Sequence, residues 1–250
     1  EICACLVGSE MCIRDRPHLD LRGLHCHVGS QVFGEDVYQR TLDIMVPFLA
    51  QIRDETGVTL SDLNLGGGYG VRYTQEDEAI DIPARLAELA AYLKEKTERL
   101  GLPMPRFLME PGRSIVADAG MTLYTVGSVK RIPGYKQYAA VDGGMTDNPR
   151  YALYQSRYTV YHAHKSGSME RFDVVGRCCE SGDIIQPGVE LPGDTCRGDI
   201  LAVCTTGAYN YSMASNYNRL PRPAVVMLTP DRIYEAVRRE TFADLTALDL

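Results

Sequence analysis

The chain has 250 residues, is 45% hydrophobic and 24% charged, and carries a formal charge of −7, the balance of a globular protein with a sizeable core rather than of a disordered or fibrous one. The acidic excess and the scattered Lys and Arg argue against a nucleic-acid partner, because phosphate contacts need clustered basic groups. No apolar run approaches the roughly 20 residues that span a bilayer, and the start Glu1-Ile2-Cys3 lacks a signal peptide's basic region, so a cytoplasmic protein with a small-molecule substrate and no membrane partner is expected.

Residues 1–16 hold three of the eight cysteines, show no periodicity and read as foreign to the fold. Regular patterning starts at Leu21 with the apolar strand LRGLHCHV. In the next segment Tyr38, Leu42, Met45, Leu49 and Ile52 recur at helical spacing, and Gly57 stands where a C-terminal cap belongs. A second strand, DLNLG, runs into the glycine cluster at 66–70. The helix RLAELAAYLKEKTERLG follows with Leu86, Leu89, Leu93 and Leu100, and ends at Gly101; a third strand, RFLME, ends at Glu110. Strands alternating with helices predict parallel βα units. Each strand ends in a chemically unusual motif, HCHVGS, GGGYG or EPGR, and function at strand C-termini is the signature of a barrel.

A complete eight-unit barrel needs about 250 residues, and only three units precede a change of pattern near Asp118. The predicted fold class is therefore α/β plus β. Residues 17–118 form the last three or so units of a partial (β/α)8, TIM-like barrel. Residues 119–250, with β-branched and aromatic runs such as MTLYTVGSV, QYAAVD, FDVVGRCC and DILAVC between Gly, Pro and Asp turns, form an all-β domain.

The motifs carry little when read singly. Successive glycines in GGGYG let backbone N–H groups approach a phosphate, yet the run fits neither the P-loop nor the Rossmann spacing and reads equally as a plain turn. His25 and His27, two apart on a strand, share a face and could ligate a metal; no carboxylate pattern surrounds the other histidines, so no metal is expected. EPGR sets Glu110 and Arg113 about a Pro-Gly turn, as a pocket mouth or a structural ion pair. CCESGD sets the Cys179 thiol before Glu180, and a buried, inert cysteine is the alternative. Without a secretory signal or CxxC spacing the cysteines are expected to be reduced.

Taken in order, HVGSQ, GGGYG, EPGR, DGGMTDNPRYALY, CCESGD and GAYNYSMASNYN resemble the diaminopimelate decarboxylases. These are pyridoxal-phosphate enzymes of the alanine-racemase-like fold, a β/α barrel followed by a β domain. The resemblance implies pyridoxal 5'-phosphate as cofactor, with His27 stacked on its ring and Ser30, Gly66, Gly67 and Gly68 at its phosphate. Gly112 and Arg113 of EPGR are implied to bind it too, and Glu110 to face the pyridine nitrogen. A protonated ring then takes up the electron pair left when carbon dioxide departs, whereas racemases of this fold place an arginine there.

For the substrate, the resemblance implies that Arg113, Arg150 and Tyr154 bind carboxylate and that Glu180 pairs with a distal ammonium. Cys179 is the implied proton donor to Cα, and Tyr209 touches both phosphate and substrate. The CES segment is implied to enter the partner subunit's site, giving a homodimer with shared active sites. The implied activity is decarboxylation of meso-2,6-diaminopimelate to L-lysine and carbon dioxide, the last step of lysine biosynthesis.

A carboxynorspermidine or ornithine decarboxylase is the enzyme alternative, opposed by Glu180 with Arg150. A catalytically dead binding homologue is the other, opposed by the joint presence of Glu110, Arg113, Cys179 and Tyr209. Two departures stand out. Tyr151 occupies a place where many relatives have proline. The lysine that anchors the cofactor in the family lies on an early barrel strand that this sequence does not include, and Lys94, Lys96, Lys130, Lys136 and Lys165 fall outside any such motif; the chain alone is expected to be an inactive fragment.

Overall fold

The computed structural model describes residues 18–250; the segment 1–16, expected to be foreign, lies outside the described residues. The chain divides into two compact units, one taking in residues up to Val71 together with Glu78–Ser114, the other Arg72–Asp77 and Ile115–Leu250.

In the first unit, β1 (Gly23–His25), β2 (Asp62–Asn64) and β3 (Arg106–Leu108) form a parallel sheet in that order. Helix α1 (Val37–Thr56) connects β1 to β2, and α2 (Ile82–Arg99) connects β2 to β3. The helical spacing read from the sequence is the buried face of α1: Tyr38, Leu42, Met45, Leu49 and Ile52 pack with Leu63, Leu65, Leu89 and Leu93. Gly57 ends α1 in the left-handed region at φ 71°, its N–H donating to the Arg53 carbonyl, the geometry in which glycine has no Cβ penalty. At the start of α2 the Asp81 side chain accepts from the Ala84 N–H at 3.0 Å, and Pro83 stands in the first turn, where its missing N–H costs nothing.

The strands are shorter than their apolar runs. LRGLHCHV contributes only Gly23–His25 to β1, where Gly23 lies against Asp62 so closely that a Cβ would sit 2.3 Å from its carbonyl oxygen. His27 lies beyond the end of the strand that holds His25. Beyond β1 the Cys26 N–H still reaches the Asn64 carbonyl at 2.9 Å, while His27 turns toward the glycine loop.

The second unit is built on a six-stranded sheet of order β6-β9-β4-β5-β7-β8. Its strands are β4 (Met121–Ile132), β5 (Lys136–Val141), β6 (Val160–His162), β7 (Met169–Val175), β8 (Ile184–Pro192) and β9 (Ile200–Cys204). All pairings are antiparallel except β5 with β7. The period-2 pattern of β4 buries Tyr124 and Val126 and leaves Met121 and Leu123 exposed. Strand β8 is the one that the sequence conceals: Pro187 and Gly188 interrupt IIQPGVELP, and the structure absorbs them in a register shift where Gly188 takes φ 68° and donates to Asp173 Oδ1 at 2.8 Å. A separate hairpin, β10 (Val225–Leu228) with β11 (Ile233–Val237), and short helices α3 (Arg113–Val116), α4 (Arg150–Tyr154) and α5 (Phe242–Thr246) complete the described elements, with two 3-10 turns at Tyr211–Met213 and Tyr217–Arg219. Among the described residues, no helix is long and apolar enough to cross a membrane.

Leu63, fully buried at the centre of β2, holds the sheet against α1 and α2. Leu63→Ala is expected to lower stability by about 2–5 kcal/mol, read from the urea midpoint of the purified chain.

Candidate active site

The parallel register sets His25, Asn64 and Leu108 at one level, so the chains leaving β1, β2 and β3 carry their polar residues to one place. Glu110, two residues past that level, accepts from Asn64 Nδ2 at 2.8 Å on Oε1 and lies 3.3 Å from His25 Nε2 through Oε2. Its side chain is about half exposed, so the carboxylate is oriented but open. Asn64 also accepts the Gly66 N–H at 2.8 Å, tying the carboxylate to the start of the glycine loop. Neither Asn64 nor His25 was expected in these roles. The available signal was a polar residue ending a buried strand, Asn64 in DLNLG.

The glycines are sterically required. A Cβ on Gly67 would lie 2.2 Å from the Glu110 carbonyl oxygen and one on Gly68 2.2 Å from that of Gly29, while Gly66 and Gly68 take φ 69° and 106°. The Gly67 N–H donates to His27 Nδ1 at 3.2 Å, which leaves the Nε2 side of that ring directed away from the loop. Arg113 Nη2 donates to Ser30 Oγ at 2.7 Å, pairing a guanidinium with a hydroxyl. Gly112 is open, with nothing near its absent Cβ.

In the second unit the loop 143–148 leads into α4, which presents Arg150 and Tyr154. The buried Arg150 guanidinium lies 5.2 Å from the Tyr154 ring and 5.0 Å from the Tyr209 ring, a double cation–π contact. Its polar contacts are long, Nη1 to Met213 Sδ at 3.8 Å and Nη2 to Ser156 Oγ at 3.5 Å. Among the described residues, no carboxylate stands within ion-pair distance of it. Tyr209 itself holds a left-handed backbone at φ 70°, the kind of strain that a fold retains where a side chain must be aimed.

The CCESGD turn is anchored from beneath. Asp183, buried, accepts the Met145 N–H on Oδ1 and the Cys178 N–H on Oδ2, each at 2.6 Å. Gly144 and Gly176 make room, since a Cβ on either would come within 2.5 Å of the carboxylate. One side chain thus joins the loop before Arg150 to the turn bearing Cys179 and Glu180. Nearby, Tyr124 donates to Asp147, and burial pushes the Asp147 carboxyl above its ordinary range. Cys179 and Glu180 are exposed on the turn, and Cys26, Cys178, Cys179, Cys196 and Cys204 are all free thiols.

Comparison with known proteins fits this geometry. A family model described as the pyridoxal-binding domain of pyridoxal-dependent decarboxylases matches residues 9–117. The diaminopimelate decarboxylase of Bacillus subtilis is 46% identical over 235 residues, covering 93% of this chain and 53% of that protein. Over nearly its whole length the chain is similar to diaminopimelate decarboxylases. The crystal structure of diaminopimelate decarboxylase from M. jannaschii in co-complex with L-lysine superposes with a TM-score of 0.88 at 30% identity, over 98% of this chain and 55% of that one. A lysine/ornithine decarboxylase from Vibrio vulnificus complexed with putrescine gives 0.70 at 25% identity, over 84% of this chain and 56% of that one. The chain spans about half the length of the curated relatives it matches, and its fold is that of the family, part of a β/α barrel with a β domain.

Pyridoxal phosphate is the family's cofactor, and the first unit fits it: an open, oriented carboxylate suits a protonated ring nitrogen, and a glycine cradle with Arg113 and Ser30 suits a phosphate. The lysines are engaged elsewhere. Lys94 and Lys96 lie on α2, paired with Glu98 and Asp43; Lys136 and Lys165 pair with Asp173 and Asp199 in the second unit; Lys130 lies on β4.

Burial and the Asp183 charge push the Cys178 thiol up to about 11, so at pH 8 it stays protonated and unreactive. Iodoacetamide at pH 8 is expected to label the exposed Cys179 and spare Cys178, whose labelling rises only as the pH approaches 11; peptide mass spectrometry distinguishes the two.

Proposed function

We propose that this chain supplies the cofactor- and substrate-binding residues of a pyridoxal-phosphate-dependent decarboxylase that converts meso-2,6-diaminopimelate to L-lysine and carbon dioxide, the last step of lysine biosynthesis. The observation that carries the reading is Arg150, a buried guanidinium held between two tyrosine rings with no carboxylate partner among the described residues. An arginine left in that state has a site for a planar anion, and arginine suits a carboxylate bidentately.

When bound, the cofactor supplies a protonated ring that takes up the electron pair released with carbon dioxide. Glu110 holds the proton on the ring nitrogen, and Asn64 and His25 keep its two oxygens aimed. His27 covers the ring face, while Ser30, Gly66, Gly67, Gly68, Gly112 and Arg113 receive the phosphate end. Arg150 and Tyr154, with Arg113, take substrate carboxylate, Glu180 takes the distal ammonium, and Tyr209 spans phosphate and substrate. Cys179 returns a proton to Cα. The exposure of the Cys179–Glu180 turn supports its use in a partner subunit's site, so the working form is a homodimer with shared sites; a cytoplasmic location goes with this reading.

An ornithine-type substrate has no distal carboxylate for Arg150, and the lower similarity to the lysine/ornithine enzyme weighs the same way. Completed with the part of the Bacillus subtilis relative that it does not match, and given pyridoxal phosphate, the chain is expected to release carbon dioxide and L-lysine from meso-diaminopimelate. Cys179→Ala and Glu110→Ala should each reduce kcat by roughly 100-fold or more. Turnover of ornithine with none of diaminopimelate would reject the substrate assignment.

A further inference from the structure

We infer that Asn148 and Asn210 are substrate-binding residues that act with Arg150, the three forming a buried polar receptor for the distal amino-acid head of the substrate. This rests on the decarboxylase reading above and deepens it.

Among the described residues, the buried side-chain nitrogen and oxygen atoms with no hydrogen-bond partner are Asn148 Nδ2 and Oδ1, Arg150 Nε, Asn210 Nδ2 and His162 Nε2. The last has Asp199 Oδ2 3.1 Å away. The other four belong to three residues of one neighbourhood, 1%, 6% and 4% exposed in chain order. Asn148 precedes Arg150 by two residues. The Tyr209 ring that stacks on Arg150 belongs to the residue before Asn210, and Tyr158 donates to Asn210 Oδ1 at 3.4 Å. The two loops are stitched together where the Ser215 N–H donates to the Thr146 carbonyl at 2.8 Å, and Asn148 is fixed by its own N–H on the Gly144 carbonyl at 2.8 Å.

A buried amide left unpaired costs free energy that an apolar side chain of the same size would not. Two unpaired amides and an unpaired guanidinium nitrogen, two of these residues on one loop and the third next to the tyrosine that stacks on Arg150, are the mark of a site whose partners arrive with a ligand. The orphaned set is specific in kind: N–H donors from three side chains and one carbonyl acceptor. The head of an α-amino acid is its complement, a carboxylate that only accepts and an ammonium that only donates. A terminal ammonium alone would leave the donors unmet, so the same residues exclude a simple diamine end, because a site built to hydrogen-bond a group rejects the analogue lacking it.

The test uses the completed enzyme with pyridoxal phosphate and the variants Asn148→Leu and Asn210→Ala. Each is expected to raise KM for meso-diaminopimelate roughly 10-fold or more while kcat stays within about 3-fold. The inhibition constant of L-lysine, which keeps the distal amino-acid head, should rise in parallel, whereas that of cadaverine, which lacks the distal carboxylate, should move less than about 2-fold. Without ligand, the thermal midpoint of Asn148→Leu should equal or exceed that of the parent, and the upward shift on adding meso-diaminopimelate should vanish. Unchanged KM in both variants would overturn the inference and assign the orphaned atoms to ordered water. A lower midpoint with kcat and cadaverine binding weakened together would also overturn it, in favour of a structural role. A parent enzyme that releases no lysine from diaminopimelate overturns the decarboxylase reading itself, a result separable from both.

Discussion

Because His25, Asn64 and Leu108 stand level in the parallel register of β1, β2 and β3, the first unit delivers an imidazole, a carboxamide and, two residues on, a carboxylate to one end of its sheet. A slip of one residue in any strand would turn these groups into the core and bring Leu63 or its neighbours to the open end. The pairing is fixed by sterics and charge together. Gly23 admits the Asp62 backbone, and Arg106 grips Asp62 through Nε at 3.0 Å and Nη2 at 2.7 Å. The orientation of Glu110 follows from contacts at the opposite end of the same strands.

The second unit solves a different problem, holding charged and reactive groups near one another without letting them neutralise. Asp183 is spent on backbone N–H groups, Asp147 on Tyr124 and the Gly144 N–H. Neither carboxylate is thereby available to Arg150, whose guanidinium is instead steadied by aromatic faces. Tyrosine rings hold a cation in place without satisfying its hydrogen bonds.

Much of this was legible in the sequence where the signal is local. Helical spacing located α1 and α2 and the cap at Gly57; alternation located β4 and β5; and ordered motifs identified the family before any geometry. What was not legible depends on non-local pairing. LRGLHCHV looks like one long strand because apolar residues continue past His25, yet β1 stops there. IIQPGVELP looks like a loop because Pro187 and Gly188 are strand breakers in isolation, and only Asp173 on β7 makes the irregularity tolerable. Asn64, Asn148, Asp183 and Asn210 belong to residue types common on surfaces, so their burial and partners, or lack of partners, could not be read from spacing.

The single carboxylate of Asp183 also bears on how such a protein can change over time. Since it fastens both the loop leading to Arg150 and the turn bearing Cys179 and Glu180, neither segment can acquire a new backbone path while the other keeps its old one. Lineages that shift their substrate range must therefore alter the two segments in concert or confine themselves to side-chain exchanges on a fixed frame.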